Sequence, residues 1–596
     1  KSSAASDVYK RQILYSSPFP STRTGALFNA FSYPTKISPE AEAIFIACHS
    51  NIGDTIFDPF GGSGTTGIAT MLTDSPTESM LKKVKELGLE PIWGPRKAVV
   101  YELSPVGCLL GRAMCSTKSV IFKKYTETLL KVTSDICNEV YSIVDPEGNI
   151  GLLRHAIWSD IVVCPHCGME IPYAQLAVQD NPLTFKEDSL CPHCGESVHL
   201  ADAERVKETV NDPLLHREIS VKKRRLYKLY GITGKKRWSR YATENDQTSY
   251  NSTMANRDIT SSPIYPIKWG ELYRQGYHYG ITHLHHFYTS RNWFVFNTLW
   301  SQISQYPEDI RDALKIFLLS YNSAHSTLMT RVVAKKNNPD FVITGAQPGV
   351  LYISGLPVEK NILFGLQRKL KTFVEAFEKI ESSKGEVQFV NGSSTNVLLE
   401  DNSVDYVFTD PPFGDFIPYS EINQLNEAWM GIVTDDAEEA IINPAQGKAI
   451  EEYSNLMTAV FGQISRIMKP AASCTLVFHS AKSVIWRALV DAYKEAGLSS
   501  IKASILDKVQ PSFKQTNSSV TVKGDPLILL KKENENVQYN ESFQDDKELA
   551  KYLVEQAPMP YNKDVAVKTF SKYIMMCIEH NFVITLDAKY FFEYAS

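Results

Sequence analysis

The chain has no apolar run approaching the ~20 residues that a membrane-spanning helix needs, and no segment has the layout of a secretory signal. It also has no excess of positive charge, since 62 Lys and Arg against 67 Asp and Glu give a net charge of −5. This balance excludes a uniformly basic nucleic-acid-binding protein, so any nucleic-acid contact must come from a local patch. We expect a cytoplasmic protein that does not contact a membrane.

Cysteine is scarce for a chain of this size, with 10 among 596 residues. Four of them form two CxxC pairs and the rest are scattered singly. This distribution favours a reducing compartment with a metal site over a disulfide framework. The length predicts two or three domains.

The two ends of the sequence are predicted not to be native boundaries. Residues 1–12 (KSSAASDVYKRQ) contain no initiator Met and are typical of translated linker sequence, so we exclude them from fold prediction. The last residues, Phe591 to Ser596, contain no evident terminal signal. We therefore expect a fragment of a longer protein.

A glycine-rich turn follows the apolar run Thr55–Phe57 and precedes a helix-like segment, Gly67 to Leu72. The turn reads DPFGGSGTT over residues 58–66. Glycines let the backbone turn tightly and approach a ligand, with the N-terminus of the following helix facing it. The pattern predicts a strand, a ligand-binding turn and a helix.

A second stretch, Thr409 to Gly414 (TDPPFG), follows the apolar run Val404–Phe408. Asp410 therefore lies where a buried parallel strand is predicted to end. Ligands of open α/β sheets bind outside the carboxyl ends of the strands. We expect the two stretches to open into one cleft.

These two stretches resemble the cofactor-binding and Asp-Pro-Pro-Tyr/Phe motifs of S-adenosylmethionine-dependent amino-methyltransferases that act on nucleic-acid bases. Over roughly residues 30 to 530, the motif order resembles the adenine-specific DNA methylases that contain a zinc ribbon. The resemblance implies an α/β, Rossmann-like methyltransferase fold. It also implies a large zinc-ribbon and helical insertion between the second and third strands.

The resemblance further implies methyl transfer to the N6 amino group of an adenine flipped out of double-stranded DNA. The implied catalytic residues are Asp410, Pro411, Pro412 and Phe413. Asp410 and the Pro411 carbonyl would accept the amino protons, and Phe413 would stack on the base. The implied S-adenosylmethionine-binding residues are Tyr33, Pro34, Lys36, Asp58, Phe60, Gly62, Gly64, Thr65, Glu102, Asn391 and Ser393.

Three of these positions depart from the family pattern. Glu102 would accept the ribose hydroxyls, but it lies 38 residues after Gly64, where about 20 is typical. An insertion in the first helix would account for the spacing, and a surface glutamate is the alternative. Asn391 and Ser393 stand where the family usually has an Asp that recognises the adenine ring.

The chain contains two near-identical knuckles, Cys164 to Gly168 and Cys191 to Gly195. The two CxxC pairs have 23 residues between them. Two such turns place four thiolates at the corners of a tetrahedron, which Zn²⁺ accepts. We predict a structural zinc site at Cys164, Cys167, Cys191 and Cys194. His166 and His193 lie within the knuckles and are predicted not to bind the metal.

Residues 221–240 hold nine Lys or Arg, no acid and three interleaved aromatics. Cations neutralise phosphates and aromatics stack on bases, so we predict DNA contact here, with a solvated charged face as the alternative. A second metal at His283, His285 and His286 is not predicted, because no carboxylate lies at a matching spacing.

The predicted organisation has five parts, of which the 1–12 linker sequence is the first. Residues 13–110 and 386–532 form the methyltransferase domain, and 111–385 form the insertion. The insertion contains the zinc ribbon at 160–200 and the DNA-binding region at 200–300. Residues 533–596 form a linker and a small helical segment.

Several alternatives remain. The Gly62, Gly64 and Gly67 spacing also matches the GxGxxG of nicotinamide-dependent enzymes, which would leave Asp410 to Phe413 unexplained. Cytosine-N4 of DNA and guanine-N2 of RNA are alternative targets. A catalytically inactive zinc-ribbon subunit that binds DNA within a defence or restriction-modification complex is the alternative without enzymatic activity.

Overall fold

The computed structural model describes residues 14–15, 19–21, 23–259, 262–328, 330–336, 338–345, 350–508, 525–532, 543–558 and 563–595. The 1–12 linker prediction falls outside these residues. The chain divides into two compact units. Unit 1 is drawn from residues up to 119, from 375–420 and from 434 onward, and unit 2 from 120–374 and 421–433.

The N-terminal part alternates strands and helices. Ser38 caps the second helix by accepting a hydrogen bond from the Ala41 amide at 3.4 Å, and Pro39 occupies its first turn as predicted. The strands are β1 (Phe19–Ser21), β2 (Thr55–Asp58) and β3 (Lys97–Glu102). The helices are Ala26–Asn29, Pro39–His49, Thr65–Leu72, Glu78–Leu87, Pro105–Ser116 and Ser119–Val132.

The middle part is rich in short strands. These are β4 (Ser142–Val144), β5 (Ile150–Val163), β6 (Glu170–Pro172), β7 (Val178–Asp180), β8 (Leu183–Phe185), β9 (Asp188–Leu190), β10 (Ser197–His199), β11 (Lys207–Asp212), β12 (Arg217–Lys222), β13 (Arg224–Thr233), β14 (Lys236–Tyr241), β15 (Val332–Val333), β16 (Val342–Ile343) and β17 (Val358–Lys360). The α-helices are Ser134–Val140, Tyr173–Ala177, Glu244–Ala255, Gln275–His278, Ser290–Gln302, Glu308–Leu319, Asn322–His325 and Ile362–Ile380, with 3₁₀ turns at Leu284–Phe287 and Ile303–Gln305.

The C-terminal part resumes the alternation. Its strands are β18 (Glu386–Asn391), β19 (Val404–Thr409), β20 (Met468–Val477), β21 (Leu498–Lys508) and β22 (Asp525–Lys532). Its helices are Tyr419–Met430, Ile450–Ile467, Ser483–Glu495, Asp546–Glu555, Lys563–Glu579 and Ala588–Ala595, with a 3₁₀ turn at Pro444–Gln446.

Unit 1 is built on one eight-stranded sheet with the order β1-β21-β22-β20-β19-β2-β3-β18. β18, β3, β2, β19 and β20 pair in parallel, while β22 is antiparallel to both β20 and β21. The carboxyl ends of the five parallel strands therefore share one edge. This is the edge at which an open α/β sheet binds its ligands.

The α/β class and the parallel strands predicted around both motifs are present. The sequence did not indicate β1 or β21 as strands. The long spacing before Glu102 arises because a second helix, Glu78–Leu87, follows Thr65–Leu72 before β3 begins. Thr77 caps this helix at its start, and Gly88 ends it in the left-handed conformation (φ 63°).

The predicted linker and small helical segment (533–596) follow β22, which ends at Lys532. Residues 533–542 lie outside the described residues, and the described part of the segment contains three helices. The last three helices pack into the same apolar core as β19 and β20, with Leu549, Phe570 and Phe591 fully buried. Apolar residues on one face of each helix require such a core, so this segment is part of unit 1.

Unit 2 contains a sheet with the order β14-β13-β5-β17, to which β4 and β6 add along β5. The unit is shorter at both ends than the predicted insertion of 111–385, and it also takes in 421–433. The difference arises because the whole helix Pro105–Ser116 and the end of Ile362–Ile380 belong to unit 1.

Candidate active site and metal centre

The glycine turn after β2 takes the strained conformation that glycine permits. Gly62 (φ 52°) and Gly64 (φ 75°) are both left-handed, and Gly64 precedes the first residue of the helix Thr65–Leu72. A Cβ at Gly64 would lie 2.5 Å from the Cα of Gly111. Above Gly62 the nearest group is the Tyr33 ring, 3.5 Å from the position of an added Cβ. The turn therefore needs glycine at both positions and faces an aromatic side chain.

Glu102 lies at the end of β3 and holds this turn. One carboxylate oxygen accepts a hydrogen bond from the Gly62 amide at 2.6 Å, and the other accepts one from the Ser104 amide at 2.8 Å. A carboxylate offers about four lone-pair sites. These two bonds therefore leave acceptor capacity for a vicinal diol, and they give Glu102 a structural role that the sequence did not indicate.

We expect Glu102→Gln to weaken the predicted binding of S-adenosylmethionine about tenfold or more, because the amide would replace one acceptor oxygen with a donor that faces a main-chain N–H. Isothermal titration calorimetry measures this change. Glu386→Gln is the control, since Glu386 begins β18 and its side chain is 73% exposed. Equal affinity in wild type and Glu102→Gln would contradict the prediction.

The predicted N-terminal motif adjoins the glycine turn through Tyr33, whose ring stacks on Tyr419 at 6.4 Å between centroids. Thr35 and Tyr419 share a hydrogen bond at 3.0 Å. The buried Lys36 ammonium donates to the carbonyls of Leu27, Phe28 and Phe31 at 3.0–3.5 Å. These bonds fix the segment that contains Pro34 and Lys36 to the backbone of residues 27–31.

Asp58 ends β2 and is 4% exposed. It accepts hydrogen bonds from the Phe60 amide at 3.0 Å and from the Thr66 hydroxyl at 2.5 Å, which fixes the turn to its helix. Burial raises the pKa of Asp58 to about 6, against the lowering effect of these two bonds. Burial also raises the pKa of Glu42 well above its ordinary value, and Asp58 adds to that effect.

This pKa gives Asp58 a measurable influence on stability. Between about pH 4 and pH 6 the folded state holds more protons than the unfolded state, so the free energy of unfolding falls as pH rises through that window. The fall is at most about 3 kcal/mol. We expect Asp58→Asn to abolish this component in denaturant unfolding at pH 4 to 7. The exposed Asp491→Asn should retain it, and retention in Asp58→Asn would contradict the assignment.

The loop that contains the predicted catalytic residues follows β19, which is directly beside β2. Tyr406 pairs with Ile56 and Val407 with Phe57, so continuing the register places Asp410 beside Phe60. Neighbouring strands lie about 4.8 Å apart. The two motifs, 350 positions apart in the chain, therefore meet at one edge of the sheet.

Contacts from the rest of unit 1 hold this loop in place. The Tyr453 hydroxyl donates a hydrogen bond to the Pro412 carbonyl at 3.1 Å. This bond does not involve the carbonyl of Pro411, which the sequence predicts to contact the base. The Ile442 amide donates to the Gly414 carbonyl at 3.2 Å. Gly414 is left-handed (φ 68°), and a Cβ there would lie 2.5 Å from Ile485. Its glycine is therefore a packing requirement.

Phe413, which the sequence predicts to stack on the base, lies largely buried in the structure. Its ring is 6% exposed and packs edge-to-face on Phe478 at 5.4 Å, within the apolar core. A ring buried in this way has no free face for a base. Phe416, three residues later, is only half-buried and is the more accessible aromatic side chain of the same loop.

Asn391 and Ser393 lie at the end of β18. The exposed Asn391 amide donates to the carbonyls of Glu102 and Leu103 at 3.0 and 2.9 Å, which ties β18 to β3. Ser393 accepts from the Thr395 amide at 3.2 Å and so shapes the turn. Beside it, Ser394 donates to the Pro59 carbonyl of the glycine turn. These residues brace the site.

Arg23 is a residue near the site that the sequence did not reveal. It follows β1, which is parallel to β21. Because β22 is antiparallel to both β21 and β20, β1 runs in the same direction as the five parallel strands, and its carboxyl end lies at the same edge of the sheet. Burial lowers the pKa of its guanidinium, while the nearby carboxylates of Asp525 and Asp410 raise it. Arg23 thus contributes positive charge near Asp410. No motif marks it, since only the sheet order brings β1 to this edge.

In unit 2 the four predicted zinc ligands come together. The sulfur atoms of Cys164 and Cys194 lie 3.8 Å apart, and those of Cys167 and Cys191 lie 3.7 Å apart. All four ligand atoms lie within 4.8 Å of one another. A tetrahedron with 2.3 Å Zn–S bonds has sulfur–sulfur edges of about 3.8 Å. The cluster therefore fits Zn²⁺.

The two knuckles have the same backbone hydrogen bonds. In each, the glycine amide donates to the carbonyl of the first cysteine, for Gly168 at 3.0 Å and for Gly195 at 2.9 Å. Both glycines are left-handed, with φ of 70° and 81°. The surrounding apolar cluster is small, and small segments of this kind commonly use a structural metal to complete their fold.

A second polar cluster in unit 2 joins Asp212 to His285 and His286, whose Nε2 atoms each lie 2.8 Å from one Asp212 oxygen. The carboxylate that the sequence did not supply lies 73 positions away from His285. The Nδ1 of His286 faces the amides of Thr282 and His283 at 3.1 and 3.2 Å, so it accepts and Nε2 carries the proton. A protonated Nε2 has no lone pair for a metal, so in this tautomer His286 donates a hydrogen bond to Asp212.

The basic stretch 221–240 is largely neutralised within unit 2. Seven of its nine cations form ion pairs with carboxylates from other segments. The pairs are Lys222 and Arg224 with Asp160, Lys223 with Glu170, Arg225 with Glu244, Lys228 with Asp340, Lys236 with Glu147 and Arg240 with Asp246. Only Lys235 and Arg237 lie outside these pairs, so the stretch is less cationic than its sequence indicates.

Comparisons with known proteins establish no family. No family model matches the chain, and no curated protein matches it. Among the described residues, no helix has the length and apolar character to cross a membrane.

Two solved structures show distant similarity. A geranyl diphosphate C-methyltransferase from Streptomyces coelicolor A3(2), in complex with Mg²⁺, geranyl diphosphate and S-adenosyl-L-homocysteine, is 8% identical with a TM-score of 0.15. The match covers 28% of this chain and 58% of that one. A protein designated PH0851 is 13% identical with a TM-score of 0.15, over 28% of this chain and 35% of that one. Each match spans less than two thirds of the other protein, and neither carries the functional assignment.

Proposed function

We propose that the chain is an S-adenosylmethionine-dependent methyltransferase that modifies the exocyclic N6 of adenine in double-stranded DNA. The observation that carries this proposal is the pairing of β2 with β19. It places the glycine turn and the Asp-Pro-Pro-Phe loop next to each other at the carboxyl edge of the sheet. A nicotinamide-dependent enzyme would leave the second loop without a role.

The residues around the glycine turn fit the cofactor. Glu102 would accept the ribose hydroxyls with the lone pairs that the main-chain amides leave. Gly62 and Gly64 would let the cofactor approach the backbone, and Tyr33 would cover it from above. When bound, S-adenosylmethionine supplies an electrophilic methyl group. Asp58, Phe60, Thr65, Asn391 and Ser393 would hold the shape of this pocket.

Asp410 and Pro411 would prepare the nucleophile. An exocyclic amino nitrogen is a poor nucleophile because its lone pair is delocalised into the ring. A carboxylate and a carbonyl that each accept one N–H would draw the nitrogen towards a tetrahedral geometry and release the lone pair. Positioning and electrostatics would supply most of the acceleration.

The flipped base would stack on an aromatic side chain of the same loop. Flipping costs a few kcal/mol, which stacking offsets in part. The proposal assigns stacking to Phe416, since the ring of Phe413 is buried. Pro412, held by Tyr453, would keep the loop rigid.

The test is transfer of isotopically labelled methyl groups to duplex DNA, followed by mass spectrometry of the released nucleosides. N6-methyladenine is expected. N4-methylcytosine in DNA or N2-methylguanine in RNA would replace the proposed target with one of the alternatives. Bound cofactor without transfer to any of these substrates would favour the inactive DNA-binding subunit.

A further inference from the structure

Three guanidinium groups of unit 2 form a cluster, and only one of them comes from the basic stretch 221–240. They are Arg154 on β5, Arg237 on β14 and Arg368 on the helix Ile362–Ile380. Arg237 and Arg368 are exposed, and Arg154 is half-buried. Within the part of the chain that the structure describes, none of the three forms an ion pair with a carboxylate.

The backbone brings these residues together. Tyr230 pairs with His155 and Gly231 with Leu153, so Arg154 is the extra residue of a β-bulge. Bulges re-aim a side chain and are frequent near functional sites. The bulge also contacts the start of the helix that contains Arg368. The Asn361 amide, one residue before that helix begins, donates to the Arg154 carbonyl at 3.0 Å.

Arg237 reaches the same region through the sheet. It pairs with Ile232 of β13, which in turn pairs with Leu152 of β5, two residues before Arg154. Burial lowers the pKa of the Arg154 guanidinium, and the positive charges of Arg237 and Arg368 lower it further. Arg237 and Arg368 are therefore each close enough to Arg154 to repel its charge.

Lys360, on β17, adds a fourth cation to this cluster. It pairs in register with His155, and its ammonium donates to the Thr344 carbonyl at 3.3 Å. Burial lowers its pKa to about 8, and the charge of Arg368 contributes. Asp340 acts on the neighbouring His155, but among the described residues it is ion-paired with Lys228 and with none of these four cations. Clustered like charges that lack a paired carboxylate are unfavourable in the free protein, so a polyanion would relieve the repulsion.

We propose that the cluster of Arg154, Arg237 and Arg368 binds the phosphate backbone of the nucleic-acid substrate. The inference rests on the proposed function for the identity of the polyanion. Guanidinium groups bind phosphates in bidentate fashion, and each neutralised phosphate releases counterions. The phosphate contact is thus assigned to three arginines, of which only Arg237 belongs to the basic stretch 221–240.

The test compares two triple variants with the same change in net charge. One is Arg154→Gln/Arg237→Gln/Arg368→Gln, and the matched control is Lys223→Gln/Arg225→Gln/Lys236→Gln, whose cations are all ion-paired. Fluorescence anisotropy with a labelled 30-base-pair duplex gives affinity at several salt concentrations. We expect the cluster variant to lose at least tenfold in affinity and about 2 to 3 units of the salt slope. The control should stay within about twofold of wild type.

Equal losses in the two triple variants, or a wild type that does not bind the duplex at low salt, would overturn the inference. Zinc content and thermal melting report folding, and the single variant Arg237→Gln, at an exposed position, serves if the triple variant unfolds. A protein that binds DNA through the cluster but transfers no methyl group would overturn the proposed function alone. Methyl transfer and duplex affinity that are both insensitive to the cluster variant would overturn this inference alone.

Discussion

Asp410→Asn is expected to reduce methyl transfer at least about 10²-fold while leaving S-adenosylmethionine binding unchanged. The substitution replaces one acceptor oxygen with a donor, so the site can no longer accept an amino proton from the base. Groups that act on the proton or charge of the reacting centre typically contribute 10²–10⁴-fold. Transfer rates under single-turnover conditions and calorimetric cofactor affinity separate the two effects.

Asp415→Asn is the matched control, because Asp415 is on the same loop and its side chain is exposed and ion-paired with Lys482. It should retain nearly full activity. If Asp410→Asn methylates as fast as wild type, the Asp-Pro-Pro-Phe loop is not the catalytic one. A parallel loss of cofactor affinity in Asp410→Asn would instead indicate a collapsed pocket.

Cys191→Ser is expected to abolish stoichiometric metal binding and to unfold the segment around the two knuckles. Structural zinc contributes about 10–16 kcal/mol of apparent binding free energy in small domains, far more than the small apolar cluster here supplies. Inductively coupled plasma mass spectrometry should give one zinc per wild-type chain and none in the variant. Limited proteolysis should then cut within 160–205.

The control for this substitution is His193→Ala, because His193 lies within the second knuckle and its side chain is exposed. Zinc content and protease resistance should match those of wild type. Loss of the metal in His193→Ala would make the histidine a ligand. Retained metal and protease resistance in Cys191→Ser would mean that the cluster does not need four thiolates.

The sequence predicts the parts of the site that local pattern encodes. Apolar runs that end in glycine or Asp-Pro-Pro place β2 and β19, and the repeated knuckles identify all four cysteines. Long-range partners were not predictable. Glu102 was expected to contact ribose, but its bond to the Gly62 amide depends on the register of β2 and β3.

Side-chain burial was the least predictable property. Phe413 has the residue type that stacks on bases, yet the course of the loop turns its ring into the core against Phe478. The basic stretch 221–240 looked like a phosphate-binding surface because its partner acids lie elsewhere in the sequence. Asp160 and Asp340, for example, pair with three of its cations.

Unit 1 is formed from segments that lie far apart in the chain, and this has a consequence for biosynthesis. β2 and β3 leave the ribosome about 280 residues before β18 and β19, which at 5–20 residues per second is a delay of roughly 15–60 s. During that interval unit 2, most of which is continuous in the chain, can fold first. Nascent chains stalled between 110 and 380 should therefore recruit chaperones through the unpaired early strands.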